Sequence, residues 1–309
     1  MFYDIKNSVI VVKYFKWNYN VKKTLLLILC LLWVPLAFAL QEGRQGIYIN
    51  EGTMNNAAYL QNLITKGKAA GINTFIIDYQ YGGQRYQQNI KLVLQNGIKY
   101  VARVVVFPNG GTDAQVLSQA YWEKKYRLVQ RAVALGASEI QLDYIRYDTT
   151  QRPSPRNAQN IYNVIKWFKN KLKPQGIPLE IDVFGVSSFG DSIYIGQSLT
   201  LFADSVDAVC PMVYPSHYEP YLKYATVPYE AVFSSLTALR RQFLGNIPFN
   251  VYPFIETYNY RYPLSNSQRV EYIMRQLQAV DDSRVEGFYV WNPSNNYNNL
   301  FIALKKRWH

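Results

Sequence analysis

Four carboxylates end short β-rich runs of this chain: Asp78 in NTFIIDYQ, Asp143 in EIQLDYIRY, Asp182 in LEIDVFG and Glu256 in PFIETYNY. The runs are otherwise apolar, and burying an acid there carries a desolvation cost that folding alone does not require. Two carboxyls at one cleft, one raised in pKa and one kept ionised, are the machinery of glycoside hydrolysis. Asp143 shares a strand face with Gln141, and Arg146 follows the strand end. The expectation is a catalytic carboxylate held ionised by the Arg146 guanidinium, against the plain alternative of an ion pair closing the strand. Asp182 shares a face with Glu180, so only one of the two can sit at the top of its strand; its structural alternative is a buried acid capping a turn. Glu256 is either a third reacting acid or a solvated loop residue. Asp78 is expected to support Arg103, a mid-strand cation that needs a partner when buried.

Other side chains that could touch a substrate lie at the same strand ends. Tyr214 and Trp291 could stack on sugar rings or pack the mouth. Asn292 follows Trp291, and His217 comes after the sixth strand, with His309 at the terminus the only other histidine. Ser216 is no nucleophile elbow, because no G-x-S-x-G surrounds it. Two His and two Cys in 309 residues argue against a zinc site of the usual type, and neither a metal nor another cofactor is expected.

The elements that must position these residues alternate strand with helix. β-rich runs are predicted at Gly46–Asn50, Thr74–Gln80, Lys99–Phe107, Glu139–Tyr147, Leu179–Gly185, Asp207–Pro215, Phe249–Thr257 and Val285–Pro293. Helical spacing marks Ala57–Ala70, Ser118–Leu135, Asn157–Lys173, Tyr229–Phe243 and Ser265–Val280, with shorter helices near Gln87–Gln95, Ile193–Ala203 and Asn298–Arg307. Gly71, Gly97, Gly136 and Gly176 follow helical runs, where a left-handed cap favours glycine. Eight alternations are the count of a single (β/α)8 barrel, in which reacting groups sit at the C-terminal ends of strands. A doubly wound sheet would show a Gly-rich phosphate turn after the first strand, and Gly46–Gly52 has none.

Residues 1–39 read as a signal peptide or an uncleaved anchor, and residues 40–309 as the barrel. Lys22 and Lys23 precede the apolar run Leu25–Leu36, and Ala37-Phe38-Ala39 offers a small-x-small cleavage site. The chain carries a net charge of +12, spread without an aromatic-basic nucleic-acid module, so no nucleic-acid partner is expected. Membrane contact is expected only through the N-terminal segment. Past that segment Cys210 is the single thiol, which fits an exported protein of a bacterial envelope.

These segments resemble a bacterial family of glycoside hydrolase-like TIM barrels, long catalogued as a domain of unknown function. The matching stretches are GIYIN, NTFIIDYQ, KYVARVVVF, EIQLDYIRY, IDVFG, the IGQ of Ile195–Gln197, the PMVYPSHY of Pro211–Tyr218 and the WNPSNNY of Trp291–Tyr297. DYIRY also looks like an element of the wider alpha-amylase group. That resemblance implies a carboxylate nucleophile at Asp143, a general acid at Asp182 and a third acid at Glu256. The chain departs from the family after strand two, where DYQYGG replaces an acidic loop, and Asp182 stands where the amylase acid is a Glu. The combined expectation is a periplasmic or extracellular barrel that hydrolyses an envelope or extracellular polysaccharide. Its rivals are a carbohydrate-binding barrel without catalysis, and a structural envelope protein whose thermal stability soluble glycans would leave unchanged.

Overall fold

The computed structural model describes residues 43–307; the segment read as a signal peptide or anchor lies outside them, as does His309. Strands β1 (Arg44–Ile49), β2 (Thr74–Asp78), β3 (Lys99–Val105), β4 (Glu139–Asp143), β5 (Leu179–Phe184) and β6 (Ala208–Met212) pair in sequence order, all parallel. The seventh stave is split into β7 (Asn250–Val251) and β8 (Phe254–Glu256), and β9 (Gly287–Trp291) closes the ring against β1. The result is the expected (β/α)8 barrel. The split departs from the unbroken run Phe249–Thr257, and Pro253 explains it, since proline has no N–H to give to a ladder.

The principal helices α1 (Ala57–Lys68), α2 (Gln84–Gln95), α3 (Gln119–Ala134), α4 (Pro155–Leu172), α5 (Pro228–Gln242), α6 (Asn266–Asp282) and α7 (Asn298–Arg307) pack around the ring. In α4 the buried residues Ile161, Val164, Ile165, Phe168 and Leu172 recur at helical spacing and form the stripe that meets the strands. The Ser154 hydroxyl caps its start, with Pro155 in the first turn. Ser265 and Gln268 form a reciprocal capping box on α6. The four cap glycines have φ between 65° and 99°. After β5 the sequence suggested a helix over Ile193–Ala203; only Leu199–Phe202 is helical. The preceding residues are taken by other partners, Tyr147 N–H donating to Ile195 O and Ser192 N–H to Gln197 O.

Outward-facing residues such as Ile47, Phe75, Val104, Leu142 and Ile181 form the core between strands and helices. Inside the ring the alternate positions stack in storeys. A lower ionic storey joins Arg44, Glu139, Glu180 and Tyr289; an apolar one contains Ile76, Val101 and Tyr289; the upper one holds the carboxylates at the mouth. Gly46 makes the filling possible: a Cβ there would come within 2.5 Å of the Tyr289 ring and 2.6 Å of Ile76. Gly46→Ala is therefore expected to destabilise the barrel by about 1–3 kcal/mol, read as a lowered midpoint in thermal and urea unfolding.

Candidate active site

Arg103 organises the mouth. It lies on β3, buried, and its guanidinium ion-pairs with Asp78 on β2 and Asp143 on β4, while Nε lies 3.7 Å from Asp182 on β5. Burial opposes its charge, and Asp143, Asp78 and Asp182 together more than offset this, raising its pKa well above the ordinary value. The Tyr48 hydroxyl also donates to Asp78. The Tyr48 ring stacks on Trp291 with centroids 4.0 Å apart, and Arg103 faces both rings at 5.4 Å.

Asp143 and Asp182 stand side by side. The pairs Gln141–Glu180 and Leu142–Ile181 set the register of β4 on β5, and Asp143–Asp182 is the next in line. Asp143 also accepts the N–H of Tyr144, whose φ of 51° is a left-handed conformation unusual for an aromatic residue. That strain is of the order of 1–3 kcal/mol, and it turns the backbone N–H onto the carboxylate. Asp182 is only 3% exposed, and its Oδ1 has no hydrogen-bond partner. Burial first, and then the Asp143 charge, push its pKa well above the carboxylate range despite Arg103 nearby. One carboxyl is thus held in a close ion pair, while burial and its neighbour's charge favour the protonated form of the other.

Both acids line a cavity of about 230 Å³ with Arg103, Arg146, Tyr214, His217 and Trp291. Tyr144, Phe184, Gln197, Met212, Phe254 and Tyr258 complete the wall. Tyr214 is buried; burial and then Asp182 raise its pKa well above 10, so its hydroxyl stays protonated. His217 packs edge-on against Tyr214 at 5.1 Å and lies 3.4 Å from the Tyr258 hydroxyl. Burial and the nearby Arg261 lower its pKa, which favours the neutral ring.

Three expected site residues are placed differently. Arg146 is not paired with Asp143; it donates to Tyr147 O at 2.8 Å and packs against the rings of Tyr144 and Phe184. The cation on Asp143 is Arg103, because β3 neighbours β4 while Arg146 lies past the bend at Tyr144. Glu256 is neither in a solvated loop nor in the cavity wall. It is fully buried, accepting the Ser216 N–H at 2.8 Å and hydroxyl at 2.7 Å with the Tyr272 hydroxyl nearby. Asn292 is also turned from the cavity, bonding Thr257, Ser294 and Asn296 so as to hold the loop after β9. Glu180 sits one storey below Asp182. There Arg44 forks onto Glu139 at 2.6 and 2.7 Å and reaches Glu180 at 2.5 Å. Among the described residues no group of three or more His, Cys, Asp or Glu side chains is placed to hold a metal ion.

Tyr48 and Tyr144 were missed in the sequence. Tyr48 was legible in principle, two residues from Gly46 on the inward parity of β1; Tyr144 becomes visible only through its backbone angle.

A closed parallel barrel with neighbouring carboxyls at its C-terminal mouth is an arrangement that glycoside hydrolysis can use. The chain belongs to the family described as "Putative glycosyl hydrolase domain", whose sequence profile matches residues 112–297, more than half of its length. Among curated proteins none matches the sequence. Solved structures share the fold at low identity. The spore cortex-lytic enzyme SleL of Bacillus cereus has 12% identity and a TM-score of 0.62, covering 85% of this chain and 75% of its own. A class V chitinase of Pseudomonas fluorescens Pf-5 has 12% identity and a TM-score of 0.62, covering 86% and 100%. An endo-β-1,4-mannanase of Thermotoga petrophila has 12% identity and a TM-score of 0.56, covering 81% and 67%.

Two measurements check the electrostatics of this region. Arg103→Met leaves Asp78 and Asp143 buried without their cation, and is expected to cost about 3–5 kcal/mol in denaturant unfolding. Glu256 has its pKa raised from 4.5 to about 7, chiefly by burial. Its folded pKa lies above the unfolded one, so the stability it contributes is fully present below about 4.5 and is lost as pH rises through about 7. Gln cannot ionise. The thermal midpoint of Glu256→Gln is therefore expected to gain on that of the parent between pH 4 and pH 8; a constant difference would refute the assignment.

Proposed function

We propose that this protein is a glycoside hydrolase of an envelope or extracellular polysaccharide, with Asp143 and Asp182 as its reacting carboxyls. The observation that carries the reading is the pairing of Asp143, in close ionic contact with Arg103, with a buried Asp182 whose Oδ1 has no hydrogen-bond partner and whose pKa is pushed upward, at one cavity wall. In this scheme Asp182 gives its proton to the glycosidic oxygen as the bond to the anomeric carbon breaks. Asp143 meets the positive charge that develops on that carbon, and Arg103 and the Tyr144 N–H hold it in place. Trp291 and Tyr214 offer ring faces to the sugar. Asp143 and Asp182 follow one another in the β4–β5 register, and this scheme uses them in a retaining double displacement. Asp143 then forms a covalent glycosyl ester, and Asp182 deprotonates the water that opens it.

Export belongs to the same proposal, supported by the apolar run and small-x-small site of residues 22–39. Amino-terminal sequencing of the secreted form checks it. A carbohydrate-binding barrel without catalysis is the second reading. It is favoured by the engagement of both Asp143 oxygens, one by Arg103 and one by Tyr144 N–H.

A panel of polysaccharides assayed with the parent and with Asp143→Asn separates the two. Hydrolysis is expected to fall by at least about a thousandfold, equivalent to ~4 kcal/mol of barrier, with binding retained and the product anomer matching the substrate by NMR. Equal turnover in the two forms would remove Asp143 from the chemistry. Binding without turnover by the parent would favour the second reading. Because Asp182 must carry the proton, kcat/KM is expected to fall on the alkaline side as Asp182 ionises, and Asp182→Asn is expected to abolish that limb together with most of the rate.

A further inference from the structure

Arg146 is the cation that the proposed chemistry leaves unused. It lines the cavity, half-buried, yet among the described residues no carboxylate lies within ion-pairing distance, whereas Arg44 and Arg103 inside the barrel are each matched by acids. Its plane is packed by the Tyr144 and Phe184 rings, with guanidinium-to-centroid distances of 5.3 and 5.0 Å. Gly110 leaves room for it: a Cβ there would lie 2.6 Å from Nη1. Nη1 donates to Tyr147 O, while Nε and Nη2 have no hydrogen-bond partner among the described residues. Those two nitrogens form the edge that presents two parallel N–H groups, the geometry that meets a planar carboxylate in a fork.

We infer that Arg146 is a specificity residue that receives a sugar carboxylate, so that the substrate is an acidic polysaccharide. The inference rests on the reading of this mouth as a glycan site and adds the chemical class of the glycan. This half-buried guanidinium has no acid in direct contact, and burial lowers its pKa although Tyr144, Asp143 and Asp148 act from a distance to raise it, so its desolvation cost is only partly offset. A carboxylate on the bound sugar supplies the direct ionic contact that this edge lacks. Neutral sugars offer only hydroxyls to the same edge, which leave the charge unpaired. The carboxylate can be the C6 group of a uronic acid or a lactyl ether on an amino sugar, and the two place it differently on the ring.

The test is equilibrium binding, measured by calorimetry on the Asp143→Asn chain so that ligands survive. The probes are a galacturonate hexamer, a muramic acid-containing tetrasaccharide, and neutral hexamers of mannose and of N-acetylglucosamine. At least one acidic probe is expected to bind at least tenfold more tightly than either neutral one, and which acidic probe wins identifies the source of the carboxylate. Adding Arg146→Gln is expected to reduce that acidic-to-neutral ratio at least tenfold. Arg146→Lys, which keeps the charge but loses the fork, is expected to restore only part of it, and it carries the test alone if the Gln form does not fold. Neutral probes binding as tightly as acidic ones, or a ratio that survives both substitutions, would overturn the inference. The hydrolase reading fails separately: an acidic preference in a parent that cleaves none of the probes would refute hydrolysis and leave the role of Arg146 standing.

Discussion

A guanidinium in the throat of a closed barrel has to be neutralised where it stands, and the upper half of this molecule is arranged around that requirement. Arg103 reaches acids on the strands to either side of it and on the strand beyond. One cation cannot offset three anions in a medium of low dielectric. The acid with the longest contact, Asp182, is the one whose pKa is pushed upward, while Asp78 and Asp143 make the close contacts with Arg103. The asymmetry between Asp143 and Asp182 follows from this imbalance together with burial, without any special feature of Asp182 itself.

The same logic recurs one storey down. Arg44 enters from the start of β1 and meets Glu139 and Glu180, with Lys99 and Tyr289 completing the cluster. Burial and the neighbouring Glu139 raise the Glu180 pKa well above its usual range, which favours its protonated form. The lower cluster sits at the N-terminal end of the barrel, where Lys99 is exposed, with Cys210 and Gln141 against its buried Glu180. The upper one opens to solvent through the cavity. The two ion clusters therefore differ in their access to solvent according to which end of the strands they occupy, and only the upper one is at the C-terminal face where barrel enzymes of this fold place their active sites.

Likeness to chitinase, mannanase and cortex-lytic barrels at 12% identity speaks for the fold and leaves the substrate to the mouth. That mouth is built by the bends after β4, β5 and β6. Tyr144 adopts a strained angle, Gln197 accepts the Phe184 N–H and the Ser187 hydroxyl, and Ser216 engages Glu256. The buried Glu256 fixes the loop that carries Tyr214 and His217. An acid that reads as chemistry in one dimension thereby acts as the anchor for a wall of the site.

The architecture was legible in the chain because period-two strands, period-3.6 helices and cap glycines are local signals, and eight alternations with no Gly-rich first turn leave few topologies. The candidacy of Asp143 and Asp182 was legible for the same reason, since strand ends are local and a barrel assigns them to one rim. Charge pairing was not. Arg146 is three residues from Asp143 in sequence but lies beyond a left-handed bend, whereas Arg103 is forty residues away and on the adjacent strand. Ion pairs in a parallel barrel form across strands, between residues separated by a whole helix, so sequence proximity names the wrong partner. The fate of Glu256 was likewise decided by Ser216, Tyr272 and Gln276, three residues from two other segments that only the closed ring brings together.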